Sequence, residues 1–187
     1  KHVYEAIEHA EKSIALDKNL TVAYNVLASC LFFLRLESSV QHDRKKNETR
    51  FREVSEKSYS LDSNNPDSVM NMAFLFRISN DESKYKEFVN KAVEINPHHS
   101  RSLQAKGMLY LNGCDYDNAI EYLGDFSSND IILSSLALGC MGDAYMELGD
   151  TENAMDYYES AIENSSNEFT APRYMMKLAM IYEKNGD

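Results

Sequence analysis

Residues 135–168, SLALGCMGDAYMELGDTENAMDYYESAIENSSNE, decide the fold. Small residues recur in this stretch at Gly142, Ala154 and Ala161, and aromatic residues stand at Tyr145 and Tyr158. Small side chains on facing sides of two helices let the helices approach closely, and aromatic rings fill the remaining space between them. A Gly-Asp pair at 149–150 separates the two halves and favours a turn. The stretch therefore predicts two antiparallel helices.

This spacing resembles that of the tetratricopeptide (TPR) family, whose repeats of 34 residues each form a helix–turn–helix. In the family's frame, Gly142 stands at position 8, Tyr145 at position 11, Ala154 at position 20 and Ala161 at position 27. The resemblance implies an all-α fold, a right-handed α-solenoid of antiparallel helix pairs. Residues 115–187 are also similar to bacterial TPR proteins that often carry a membrane anchor.

The same frame fits along the chain, which we interpret as a single solenoid domain, 1–187, with about nine helices. Its predicted segments are a second helix at 1–20, repeats at 21–65, 66–99, 100–134 and 135–171, and a first helix at 172–187. The incomplete repeats at both ends predict either a longer parent array or stacking through open ends. The repeat at 21–65 holds about eleven extra residues, around 35–46, for which longer helices and a loop are equally compatible with the pattern. In the repeat at 100–134, Cys114 stands where the family usually has glycine.

The charge of the chain is unevenly distributed. Residues 1–99 carry 14 Lys and Arg against 15 Asp and Glu, net −1, whereas residues 100–187 carry 5 against 15, net −10. An acidic surface disfavours nucleic acid and anionic membranes and favours a basic protein or peptide as partner. No run of eighteen apolar residues is present, so no membrane insertion is predicted within the chain.

Motifs for catalysis, cofactors and metals are missing from the sequence. The five histidines never form H-E-x-x-H or pair with cysteine at zinc-ligand spacing. The three cysteines form no C-x-x-C, and no phosphate-binding glycine loop or G-x-S-x-G occurs. We therefore predict a protein that is not an enzyme and that holds no cofactor or metal.

The TPR resemblance implies that one face of each first helix lines a concave groove that binds a protein or peptide. The predicted groove residues are Asn25, Ser29, Phe32, Met70, Phe74, Arg77, Arg101, Gln104, Met108, Leu111, Asn112, Asp143, Met146, Glu147, Arg173 and Met176, with Met180, Glu183 and Lys184 on the same face of the last helix. The methionine and phenylalanine side chains would form an adaptable apolar strip for a helix or an extended peptide, unless neighbouring helices cover them.

The sequence can be compared with the residues that bind one known ligand of the family, the acidic C-terminus of heat-shock chaperones. TPR domains that hold the acidic C-terminus of heat-shock chaperones bind it with a two-carboxylate clamp on three successive first helices. The first helix supplies Lys and Asn, the second supplies Asn, and the third supplies Lys and Arg. The corresponding residues here are Asn25, Ser29, Asn71, Arg101 and Ala105. Because Asn71 alone matches and Arg101 is the sole cation, the charge-assisted donors that this clamp needs are incomplete. A chaperone clamp is not predicted.

Three functions stay open at the level of the sequence. The first is a non-catalytic scaffold that binds a partner's peptide or helix in the groove. The second is a regulatory or sensory module of a larger protein whose catalytic or membrane part lies outside 1–187, and the third is a self-associating architectural repeat. The sequence leaves the compartment open: a cytoplasmic location fits, and the bacterial resemblance implies an association with the cell envelope.

Overall fold

The computed structural model describes residues 2–37, 41–126, 131–165 and 170–185, and within them it contains ten helices. They are α1 (His2–Leu16), α2 (Thr21–Glu37), α3 (Gln41–Leu61), α4 (Pro66–Ile78), α5 (Glu82–Ile95), α6 (Ser100–Asn112), α7 (Tyr116–Phe126), α8 (Ile131–Leu148), α9 (Thr151–Glu163) and α10 (Thr170–Asn185). The all-α prediction is confirmed, with one helix more than the number expected.

The chain divides into two compact units, Lys1–Asn96 and Pro97–Asp187. In the first unit α2 pairs with α3 and α4 with α5, and α1 packs on α2. In the second unit α6 pairs with α7 and α8 with α9, and α10 packs on α9. Within each unit, helices that follow one another in the sequence are therefore neighbours in space, as expected for helical repeats.

The repeat positions that should be small or apolar are buried in both units. At position 8 of the first helices, Ala28, Ala73, Gly107 and Gly142 are buried. Positions 20, 24 and 27 of the second helices are counted from the start of each repeat, or back from residue 65 in the longer 21–65 repeat. The buried residues there are Phe51, Ser55, Ser58, Tyr85, Val89, Ala92, Ala119, Leu123, Ala154, Tyr158 and Ala161. The same two helix faces thus meet in each complete pair.

The turns inside the helix pairs also repeat. Asn80, Cys114 and Gly149 occupy the same position, 15, and each has a positive φ, of 57°, 59° and 81° respectively. The aspartate that follows each of them accepts a hydrogen bond from the backbone N–H three residues later, as with Asp81 and Lys84 at 3.1 Å. The aspartate carboxylate thus accepts from one of the backbone N–H groups that have no partner within the first turn of the second helix.

The extra residues of the 21–65 repeat lengthen its two helices. α2 runs to Glu37 and α3 begins at Gln41 and is 21 residues long; residues 38–40 lie outside the described part of the chain. The Nε of Arg35 lies 3.2 Å from a carboxylate oxygen of Glu48, which joins the extensions. Of the two alternatives left open by the sequence, longer helices are what the structure shows. Among the described residues, no helix is long and apolar enough to cross a membrane.

Candidate protein-binding groove

The second unit contains an open pocket of about 450 Å³, which we call the α8–α10 pocket. It is lined by Asp143, Met146, Glu147, Tyr158, Lys177, Met180, Ile181 and Lys184. Met146 on α8 and Met180 on α10 contribute flexible apolar side chains, and Met180 is 65% exposed. The pocket thus combines an apolar surface with two carboxylates and two amines, a composition suited to a peptide side chain.

Asp143 connects the three helices around the pocket. Its carboxylate accepts a 2.6 Å hydrogen bond from the hydroxyl of Tyr158 on α9 and also binds the ammonium group of Lys177 on α10. The Lys177 nitrogen lies 5.5 Å from the centre of the Tyr158 ring, which adds a cation–π contact. Because the Asp143 charge is paired and hydrogen-bonded, it can remain partly buried.

Two glycines of α8 allow the tyrosine rings to pack closely. A Cβ atom at Gly142 would lie 2.6 Å from the Tyr158 ring, and one at Gly139 would lie 1.9 Å from the ring of Tyr174. The two rings are stacked with centroids 5.8 Å apart and planes 18° apart. Burial raises the pKa of Tyr158, and the hydrogen bond to Asp143 raises it further. Burial also raises the pKa of Tyr174, to about 12. Both phenols therefore stay protonated at neutral pH, and Tyr158 remains a donor.

Comparison with known proteins agrees with this geometry. A tetratricopeptide-repeat family model matches residues 140–168, the stretch that holds α9 and the second half of α8. Residues 140–168 are therefore a tetratricopeptide repeat. A search of curated protein sequences gives no match.

Solved structures share the TPR fold along nearly the whole chain. PilF of Pseudomonas aeruginosa has a TM-score of 0.69 and 18% identity, over 99% of this chain and 71% of PilF. A chain of the APC/C Cut9–Hcn1 hetero-tetramer has a TM-score of 0.78 and 13% identity, over 98% of this chain and 34% of that one. YrrB, a TPR protein with an unusual peptide-binding site, has a TM-score of 0.57 and 16% identity, over 94% and 84%. At these identities the likeness establishes the fold.

The predicted groove residues of the second TPR unit are brought together only in part. Asp143, Met146 and Glu147 line the α8–α10 pocket, whereas Arg173 and Met176 are exposed on α10 outside its lining. On α6, Arg101, Gln104, Met108 and Leu111 are half-buried and Asn112 is exposed. The Met108 sulfur lies 3.5 Å from the Cys140 sulfur, so part of its surface already faces α8.

In the first unit the predicted strip is an aromatic cluster. The Phe32 ring lies 4.7 Å from Phe74 and 5.5 Å from Phe51, centre to centre, and Phe32 and Phe74 are half-buried. The Arg77 guanidinium lies 5.5 Å from the centre of the Tyr85 ring and is exposed. Neighbouring helices thus cover much of this strip, the alternative that the sequence left open.

Met70 needs correction as a groove residue, whereas Asn25 and Ser29 line an open pocket of about 240 Å³ in the first unit. Met70 has no exposed surface, so it cannot contact a ligand in the folded chain. Asn25 is 6% exposed, and its side-chain oxygen accepts hydrogen bonds from Ser58, Ser68 and Asn71. Its amide nitrogen donates to Asn65 at 3.3 Å, so both polar atoms are engaged within the protein. Ser29 donates to the Asn25 carbonyl oxygen one turn earlier, at 3.0 Å.

Three residues of the α8–α10 pocket were absent from the sequence prediction: Tyr158, Lys177 and Ile181. The sequence predicted that Tyr158, at position 24, fills space between the helices, and in the structure this residue also lines the pocket. Lys177 stands at position 6, which faces the preceding first helix. The pattern that could have predicted this ion pair is a basic residue at position 6, Lys177, together with an acidic residue at position 9 of the preceding repeat, Asp143. No group of three potential metal ligands occurs among the described residues.

Proposed function

We propose that this TPR chain is a protein-binding scaffold and that its α8–α10 pocket takes an apolar side chain of a partner segment. The observation that carries the proposal is the pocket itself, in which Met146 and Met180 border about 450 Å³ of open space. YrrB, which has the same fold, is described as having a peptide-binding site, which supports a similar use here.

The polar groups of the pocket favour a ligand that brings apolar rather than strongly charged atoms to its centre. Asp143 is neutralised by Lys177, so it needs no charge from the ligand. Glu147 and Lys184 are exposed and can each meet a polar group of the segment's backbone or flanking side chains. Methionine side chains adapt to different apolar shapes, so we expect tolerance among Leu, Met and Phe.

The negative electrostatic field of the second unit favours a partner segment with a positive net charge. Residues 100–187 carry a net charge of −10, which attracts cationic segments and accelerates their encounter. This attraction is screened by salt, with a Debye length of about 10 Å at 0.1 M. The affinity for a basic peptide should fall as salt rises, whereas salt-insensitive binding would assign the contact to the apolar lining alone.

The test is selection of peptides from a random display library on the folded chain, followed by affinity measurement against two variants. Met146→Glu places a charge in the α8–α10 pocket, and Leu148→Glu places the same charge two residues along α8, at an exposed site outside the lining. We expect Met146→Glu to weaken binding at least about tenfold, or about 1.4 kcal/mol. Leu148→Glu should have little effect.

Circular dichroism of both variants verifies that they remain helical. Peptides that bind the wild type and the folded Met146→Glu variant equally would show that the pocket is not the binding site. Selection that yields no binder would count against the scaffold function as proposed.

A further inference from the structure

The extended part of α3 carries a dense positive charge in an acidic chain. Residues 43–52, which we call the basic arm, hold five Lys and Arg against two Asp and Glu, net +3, whereas the whole chain has a net charge of −11. Lys45, Lys46 and Arg52 are exposed on this arm. A surface of this sign favours the approach of an anionic partner.

Part of the charge of the basic arm is already neutralised within the chain. Arg50 binds Glu11 on α1, and Glu48 lies 3.2 Å from Arg35 on α2. The three exposed cations, by contrast, form no ion pair with any described residue. Two of them stand in the second turn of α3, near the positive end of the helix dipole, where a cation is unfavourable. An anion bound to the arm would relieve that repulsion.

The opposite charge is concentrated on one face of α9, which we call the acidic stripe. Glu152, Asp156, Glu159 and Glu163 follow one another at spacings of four, three and four residues, which places them on the same side of the helix. All four are exposed, and α9 contains no Lys or Arg. Glu159 accepts a 3.5 Å hydrogen bond from the Tyr182 hydroxyl, and the other three carboxylates have no side-chain partner among the described residues. Like charges at this spacing repel one another, so a cationic partner would stabilise the stripe.

The exposure of the acidic stripe is a property of its positions in the repeat. Asp117 and Glu121 on α7 occupy the same two positions as Glu152 and Asp156 on α9. Both α7 residues are exposed although α8, α9 and α10 follow them in the chain. These positions therefore face solvent within an array as well, and the stripe is not a seat for a further helix of the repeat.

The unpaired charges of the two surfaces have the same spacing. Lys45 and Arg52 are seven residues apart on α3, and Asp156 and Glu163 are seven residues apart on α9. Seven residues span about 10.5 Å along an α-helix. Two helices lying side by side can thus join both cations to both carboxylates at once.

We propose that the chain self-associates through these surfaces, with the basic arm of one copy bound to the acidic stripe of a second copy. A second copy is the occupant that fits, because it carries the opposite charge at the matching spacing. Contacts of arm with arm or of stripe with stripe are disfavoured by like charge. The contact joins two different surfaces, so each added copy leaves one arm and one stripe open to the next.

The test is sedimentation equilibrium of the 187-residue chain with charge-reversal variants. Lys45→Glu with Arg52→Glu reverses the arm, and Asp156→Lys with Glu163→Lys reverses the stripe. We expect the wild-type mass to rise above 21.4 kDa with concentration, while each double variant stays at 21.4 kDa. The chain with all four substitutions should associate again, because opposite charges then face each other in the reversed sense. Mere loss of structure would not produce that recovery.

Salt provides a second measurement of the same contact. The Debye length shortens from about 10 Å at 0.1 M salt to about 3 Å at 1 M salt. The association constant of the wild type should therefore fall at least about tenfold over this range. An association constant that is unchanged at 1 M salt would contradict a contact made by these charges.

Lys18→Glu with Lys86→Glu is the matched control, since both lysines are exposed and lie outside the arm and the stripe. This variant should associate like the wild type, and circular dichroism verifies that every variant stays helical. A wild type that is monomeric at 0.1 M salt, association that survives reversal of the arm, or a fourfold variant that stays monomeric would each overturn the proposal. Neither surface includes a residue of the α8–α10 pocket, so peptide binding to the arm variant tests that pocket separately.

Discussion

Gly142 shows how one missing side chain sets the distance between two helices. An alanine there would bring its Cβ to 2.6 Å from the Tyr158 ring and 3.2 Å from the Ala154 carbonyl oxygen. Overpacking of this kind costs about 1–3 kcal/mol, more than the gain of up to about 1 kcal/mol in helix propensity. We expect Gly142→Ala to lower the free energy of unfolding by about 1–2 kcal/mol, measured by urea denaturation.

Gly124 in α7 supplies the control for that measurement. Among the described residues, a Cβ atom at Gly124 would meet the end of the Met141 side chain at 3.7 Å, an ordinary van der Waals distance. Gly124→Ala should therefore stabilise the protein, by up to about 1 kcal/mol. Destabilisation of equal size in both variants would refute the packing role of Gly142.

Cys114 carries a backbone conformation that suits glycine. Its φ of 59° lies in the left-handed region, which costs most residues about 1–2 kcal/mol, whereas Gly149 takes the same place in its repeat without that cost. Cys114→Gly should raise the stability by about 0.5–1 kcal/mol after the greater entropy of unfolded glycine is subtracted. Cys114→Ser removes the thiol but keeps the strained backbone, so thermal unfolding should show no comparable gain for it.

At the scale of the helices, buried polar groups hold α2, α3 and α4 in one register. The Asn25 side chain on α2 accepts from Ser58 on α3 and from Ser68 and Asn71 on α4. Asn25→Ala leaves buried donors without this acceptor, and we expect it to cost about 2–4 kcal/mol of unfolding free energy. Ser29→Ala removes a hydroxyl bonded within its own helix and should change stability by no more than about 0.5 kcal/mol. Equal losses in the two variants would contradict a bridging role for Asn25.

Molecule-wide stability should decline at high pH because of buried acids in the second unit. Burial raises the pKa of Cys140 to about 11 and that of Tyr174 to about 12, and burial with the bond to Asp143 raises that of Tyr158. In the unfolded chain these groups ionise near about 8.5 for Cys and about 10 for Tyr. The unfolded state then binds fewer protons than the folded state, so the free energy of unfolding falls as pH rises.

The stabilisation from these three groups is complete below about pH 8.5 and is lost progressively as pH rises toward 11–12. Urea midpoints measured between pH 8 and pH 11 give the direct check. A midpoint that stays constant or rises over this range would contradict the prediction.

The spacing of small and aromatic residues determined by itself that the chain folds into helix pairs, because a helical period and its turn residues are local properties of the sequence. The positions of Gly142, Ala154 and Ala161 between two helices follow from the spacing within residues 135–168 alone. Only the tertiary structure decided that Met70 is fully covered, that Lys177 pairs with Asp143, and that the extra residues of 21–65 extend two helices. Those outcomes depend on how each helix is placed against its neighbours, and that placement arises from packing across many residues far apart in the chain.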